Sequence, residues 1–420
     1  TEIYMRTTSR IFVAALALLC LSGPALPAQD FRALLAPDPA MAAAAQAQEP
    51  LSVQDLAELA FRASGVGETE LGTRMEKLQA LFNGLDRSLK AHKPKTEAAK
   101  AEAVLTWLHE NVFKAYSENA TTIDLIQDTG RFNCVSSAVF YLVALRSQGI
   151  VASGIKTRDH AFAVVRAGGR LIDVETTNGY GFDPGTKKEL TGTFGSTTGY
   201  AYTPPGNYAN RTAIGEKQLV ALILSNRIAS YEGSGRYAES LPLGLSYLFL
   251  YGGDEGQRIF LDCVENLASR LANSRDFAGI EALAGEAQAV TGPNPRLQDL
   301  LEKSTYNRLS LASQRGDWVG SRNGAEAALG SGRLSRSYYE SILVYSYGME
   351  AQALGAKGDW LGAAALASEG AAKVKGDSSL ARAVAVFRQN FVVESHNRFA
   401  ALYNKGDYAG AVRVLEEALA

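Results

Sequence analysis

Phe132-Asn133-Cys134-Val135-Ser136-Ser137-Ala138-Val139 opens an apolar stretch that runs to Leu145. Asp159-His160-Ala161-Phe162-Ala163-Val164-Val165 follows, and after Gly168-Gly169 comes Leu171-Ile172-Asp173-Val174-Glu175-Thr176-Thr177. Asn133 is a good helix N-cap. The segment from Ala138 to Leu145 is apolar nearly all round, so the helix it predicts is central and buried, and Gly149 is a left-handed stop. The two later segments alternate as strands, and Gly168-Gly169 is a two-residue hairpin turn. The order is a cysteine on a helix, a histidine on a strand and carboxylates on the next strand.

Working inward from the turn, Ala167 pairs with Arg170, Val164 with Asp173 and Phe162 with Glu175. Residues 160, 162, 173 and 175 then share one face of the sheet. Glu175 lies diagonal to His160 and Asp173 one pleat further away, so the register favours Glu175 as the group that orients the imidazole. Asp173 is the alternative. Cys134 at a helix start gains from the backbone N–H groups and the macrodipole, which favour a thiolate and can hold an oxyanion. As an isolated residue it is equally readable as a buried structural cysteine. Gln127 and Tyr116 are candidate second oxyanion donors.

Phe132-Asn133-Cys134 with Ala138, Leu142 and Leu145-Arg146-Ser147-Gln148-Gly149-Ile150 resembles the nucleophile helix of the transglutaminase-like superfamily. His160-Ala161-Phe162 is similar to its His-Ala-Trp strand, and Val174-Glu175-Thr176-Thr177 to its closing Val-Asp-Pro-Thr. Glu stands for the usual Asp and Phe162 for the usual Trp. The resemblance covers roughly residues 97–180. It implies a papain-like α+β core, a helix packed on an antiparallel sheet, and a triad on Cys134, His160 and Glu175 or Asp173. The implied activity is hydrolysis or acyl transfer at amide bonds of a protein or peptide, with no cofactor and no metal.

The rest of the chain frames that segment. Its 420 residues are 46% hydrophobic and 20% charged, enough for a sizeable core and two or three domains. Lys plus Arg is 42 against 44 for Asp plus Glu, which offers no reason for a nucleic-acid partner. Only 4 His and 3 Cys occur, without CxxC spacing, which argues against structural zinc. Met5-Arg6, Arg10, the apolar run Ile11 to Leu21 and Ser22 to Ala28 read as a secretory signal peptide over 1–28. Export to a periplasm or the extracellular space follows, with no membrane span in the mature chain; a lipid anchor at Cys20 is disfavoured by Leu19. Residues 29–50, rich in Ala, Pro and Gln, read as a linker.

Helices are expected over 51–64, 69–90 and 97–113, completing a domain at 51–215. From 216 to 420 the chain repeats a turn: Asp276-Phe277-Ala278-Gly279, Asp317-Trp318-Val319-Gly320, Asp359-Trp360-Leu361-Gly362 and Asp407-Tyr408-Ala409-Gly410, with a looser copy at Gly235-Arg236-Tyr237. Successive aromatics are 40, 41, 42 and 48 residues apart. These turns resemble those of the tetratricopeptide repeat, although its period is about 34. The resemblance implies an all-α solenoid that binds a protein partner or substrate. Stacked pairs are needed because one helix pair cannot cover its own apolar face. The opposing functional reading is an exported binding scaffold whose thiol domain is idle.

Overall fold

The computed structural model describes residues 31–186, 211–374 and 377–419. The expected signal peptide, Cys20 and the Pro204-Pro205-Gly206 segment lie outside them. Among the described residues, sixteen α-helices and a small antiparallel sheet make a mostly helical structure, with a small α+β part followed by a solenoid-like helical region. No described helix is long and apolar enough to cross a membrane.

The α+β part opens with α1 (Pro39–Gln46), α2 (Val53–Ser64), α3 (Glu68–His92) and α4 (Glu97–Asn111). Short β1 (Ala115–Tyr116) and β2 (Arg131–Phe132) flank α5 (Ile123–Thr129), and α6 (Cys134–Ser147) follows. Every residue of α6 from Cys134 to Leu145 is buried. The helix packs on β3 (Ala152–Lys156) and β4 (Ala161–Ala167) on one side, and on α2, α4 and α5 on the others. With β5 (Arg170–Val174) and β6 (Thr212–Ile214) the sheet order is β5-β4-β3-β6. The β4–β5 register pairs Ala167 with Arg170 and Val164 with Asp173. Gly168 and Gly169 both hold positive φ, 57° and 75°, as a two-residue turn with the strands' own twist requires.

The region expected as a linker is folded. Phe31, Leu35 and Met41 are buried, and α1 packs against α2 and a helix of the solenoid. Asp38 accepts a hydrogen bond from the Met41 N–H and caps a helix that begins with Pro39. Composition hid this because three apolar side chains suffice to anchor an alanine-rich segment when a distant surface receives them.

The helical region comprises α7 (Glu216–Gly233), α8 (Tyr237–Tyr251), α9 (Gly253–Asn273), α10 (Phe277–Thr291), α11 (Pro295–Gln314), α12 (Trp318–Gly330), α13 (Arg336–Ala356), α14 (Trp360–Lys373), α15 (Ser378–Asn404) and α16 (Tyr408–Leu419). Neighbours in sequence pack together, and α9, α11, α13 and α15 also touch in series. The repeated turn explains itself locally. Asp276, Asp317, Asp359 and Asp407 each accept the N–H of the glycine three residues on, at 2.9–3.0 Å. A Cβ on those glycines would lie 2.2–2.4 Å from the aspartate oxygen, so the cap excludes any side chain there. The residue before three of the aspartates is a left-handed glycine, Gly316, Gly358 or Gly406; Arg275 takes that conformation in the first copy.

No seam separates the two parts at residue 215. One core runs from Phe31 to Leu297, and α7 contributes Leu219 to Leu224 to it while packing on α2, α6 and β3. A buried node crosses the same line: Arg146 of α6 meets Glu216 at 2.6 Å and donates to the Leu51 carbonyl at 2.6 Å, and the Leu51 N–H donates to Glu216. Burial pushes the Glu216 carboxyl up, against the pull of Leu51 and Arg146. Further along, the apolar contacts divide into two smaller clusters, around Ile342 and Tyr347 and around Ala363 and Phe387.

Candidate active site

Cys134 is the first residue of α6. The Asn133 side chain accepts the Ser136 N–H at 2.9 Å, and Ser136 Oγ accepts the Asn133 N–H at 2.9 Å, a reciprocal cap. Asn133 Nδ2 donates to the Glu118 carbonyl at 3.2 Å and Ser136 Oγ to that of Ala120 at 2.7 Å, tying the 117–120 loop to the helix start. The N–H groups of the first turn have no acceptor within a helix and carry its positive end.

His160 ends the β3–β4 turn. Its carbonyl accepts both the Thr157 N–H at 2.8 Å and the Thr157 hydroxyl at 3.1 Å. Nε2 lies 2.7 Å from Glu175 Oε2, and the Cys134 side chain stands close enough to the ring to act on it electrostatically. Burial alone would lower the imidazole pKa. The Glu175 charge, the nearby Cys134 and the hydrogen bond to Glu175 outweigh it and raise the value from 6.5 to about 10. The raised value favours the imidazolium, with Nε2–H donating to Glu175.

Glu175 is fully buried. Its second oxygen accepts the Thr177 hydroxyl at 2.7 Å and the Thr177 N–H at 3.2 Å. The chain after it folds back, so that the Glu175 N–H donates to the Gly181 carbonyl at 2.8 Å and Val174 bridges Phe182. A Cβ on Gly181 would stand 2.0 Å from the Glu175 carbonyl oxygen, so only glycine allows this return. Asp173 goes elsewhere: Arg211 binds it at 2.9 Å, with both side chains buried, and the guanidinium lies over the Phe162 ring at 5.1 Å. The structure thus brings Cys134, His160 and Glu175 together, and places Asp173 in a separate ion pair.

Of the two suggested oxyanion donors, Gln127 points away. Its amide nitrogen donates to the Arg74 carbonyl on α3 at 3.1 Å. Tyr116 packs edge-on against Phe132, ring centroids 6.1 Å apart, near the cysteine's end of α6. Tyr180 is largely exposed on the loop after Glu175; Tyr200, Tyr202 and Tyr208 lie outside the described residues.

One contributor carries no sequence signal. His109 of α4 donates from Nε2 to the Thr176 carbonyl at 3.0 Å, and burial lowers its pKa, which favours the neutral ring. Thr176 Oγ1 lies 2.8 Å from Ser137 Oγ, which in turn donates to the Cys134 carbonyl at 3.3 Å. This chain joins the residue after Glu175 to the first turn of the cysteine helix. His109 sits 67 residues from Thr176, which is why pattern alone misses it. Cys263, the other described cysteine, is buried in α9 against Gly244, its thiol pushed up by burial. Neither cysteine is in a disulfide. Among the described residues no group of three or more His, Cys, Asp or Glu is arranged to hold a metal ion.

Comparison with family models, with curated proteins and with solved structures gave no match in any of the three.

Proposed function

We propose that this chain is an exported thiol enzyme of the transglutaminase-like class, acting on amide bonds of a protein or peptide. In this reading the sheet and α6 are a papain-like core, and the helices after residue 216 are tetratricopeptide-like repeats that recruit a partner or substrate. The observation that carries it is the His160 ring, hydrogen-bonded to Glu175 and beside Cys134 at a capped helix start.

The chemistry follows from proton positions. His160 holds the proton of Cys134, leaving a thiolate. The thiolate attacks the amide carbon, a C–S bond forms, and the oxyanion faces the N–H groups of the first turn of α6. His160 gives its proton to the departing nitrogen as the C–N bond breaks, leaving a thioester. Water or an amine then attacks the thioester carbon and loses a proton to His160; the C–S bond breaks, the Cys134 thiolate leaves, and the product is the carboxylic acid or a new amide. Glu175 keeps the imidazole oriented and supports its charge throughout.

The competing reading, a binding scaffold with an idle thiol, is favoured by one fact: Cys134 and His160 are only 6% and 4% exposed. Iodoacetamide labelling of Cys134 across pH separates the two. The enzyme reading expects labelling at about pH 6 that is lost in His160→Ala. A rise only near the ordinary thiol pKa of about 8.5 would favour the scaffold.

A further inference from the structure

The turn that carries His160 is held from the solenoid side. Lys156, the last residue of β3, precedes Thr157, whose N–H and hydroxyl grip the His160 carbonyl. The Lys156 ammonium binds the carboxylate of Glu255 in the first turn of α9. It also lies 5.3 Å from the centroid of the Tyr251 ring on α8. Tyr251 stacks on Tyr247 at 5.0 Å, and the Tyr247 hydroxyl donates to Glu255 at 3.3 Å. Gly252 and Gly253, both with positive φ, make the tight corner that sets α8 and α9 against the same lysine.

We infer that Lys156 and Glu255 are positioning residues for His160, so that the first helix pair of the solenoid holds the imidazole in register with Cys134 and Glu175. The inference rests on the reading of Cys134 as a nucleophile. The physical argument is short. Neither side chain of the pair is more than about a third exposed, so Coulomb attraction there is screened less than on an open surface. The aromatic face of Tyr251, backed by Tyr247, further limits where the ammonium can sit. One residue separates this anchor from the hydrogen bonds that fix the His160 backbone. A shift of about 1 Å at a catalytic group costs orders of magnitude in rate, so an anchored turn matters more for reactivity than for stability.

The charged and titratable groups around the pair are Tyr247, Tyr251 and Arg258, the last 4.0 Å from Glu255. Among the described residues, Cys134 and Glu175 face His160. Arg158 and Asp159, in the turn itself, are exposed. Both tyrosine hydroxyls are pushed up, first by burial and then by the Glu255 charge. They stay neutral donors to that carboxylate over the working range and do not confuse a pH profile below 9.

The test is the pH profile of Cys134 alkylation in full-length wild type, Glu255→Gln, Lys156→Met and Lys156→Arg, with amide hydrogen exchange of residues 157–161. The expected result is labelling about tenfold slower at pH 6 in Glu255→Gln and Lys156→Met, equivalent to a shift of about one pH unit. Exchange in the turn should be faster in both, with restoration in Lys156→Arg. Circular dichroism separates a folded variant from a collapsed one. If folded variants keep the wild-type profile and exchange, the inference is overturned alone. If wild type itself shows no labelling at pH 6, the thiol reading falls and the positioning role falls with it. Faster exchange without a shifted profile reduces the brace to structural support and also overturns it.

Discussion

The two ends of this molecule solve the same problem, satisfying helix starts, in opposite ways. At the solenoid turns each aspartate caps a glycine N–H three residues away. At Cys134 the cap is local too, but its members also reach the Glu118 and Ala120 carbonyls, and the residues behind it reach Thr176 and His109. Apolar packing follows the same division. Up to Leu297 one large core takes most of the buried apolar side chains, with Ile155, Phe162 and Val164 as a small cluster beside it, while beyond Leu297 every cluster is small and they follow in series. Local satisfaction gives parts that stand nearly alone; long-range satisfaction gives a site that depends on everything around it.

The strongest way to break this contrast is to cut the chain. Truncation after Gly215 removes Glu216 and α7 from the shared core and leaves Arg146 without its carboxylate. Loss of cooperative folding and of low-pH Cys134 labelling is expected. Truncation after Gln314 keeps that core and should spare both, as thermal denaturation and alkylation would show. A shorter fragment that folds and labels normally would place the seam at 215 after all.

Next in size is the pair of carboxylates. Glu175→Gln should slow turnover of a small thioester by about 100-fold, within the usual range for support of a general base. Asp173→Asn should leave turnover within a few-fold. It should instead cost about 3 kcal/mol in urea unfolding, because Arg211 is buried against it. Equal losses of turnover would return Asp173 to the mechanism.

The third effect is a slope. The folded His160 pKa lies above the unfolded one, so its contribution to stability is complete below about pH 6.5 and is lost as pH rises through about 10. Wild type minus His160→Gln should show stability falling over that window, by at most about 1.4 kcal/mol per pH unit. A flat difference would mean that the ring is neutral when folded. Smallest is the cap: Asp317→Ala or Asp359→Ala should cost about 1 kcal/mol. Faster exchange should be confined to α12 or α14, with the Cys134 pH profile unmoved.

What was readable in the sequence divides along the same line. The β4–β5 register could be counted because a two-residue glycine turn leaves one pairing, and the count already set Glu175 closer to His160 than Asp173. The Asp-aromatic-x-Gly turns were readable because cap and capped atom lie within four residues. The folded state of 31–50 was not, because Phe31, Leu35 and Met41 find their partners far along the chain. Gln127 was misplaced because nothing local shows that its amide turns to Arg74. His109 and Gly181 act through a carbonyl contact and a close backbone approach, and neither leaves a pattern of residue types.

In each solenoid turn the side-chain cap spans only four residues, from the aspartate to the glycine that it caps. Such a turn is a natural splice point. Duplicating or deleting the stretch between two of them joins like to like, leaving both caps whole and only one helix-pair interface to be remade. A lineage carrying this architecture can lengthen or shorten its helical arm by simple recombination, while the thiol end, whose contacts span the chain, must be inherited intact.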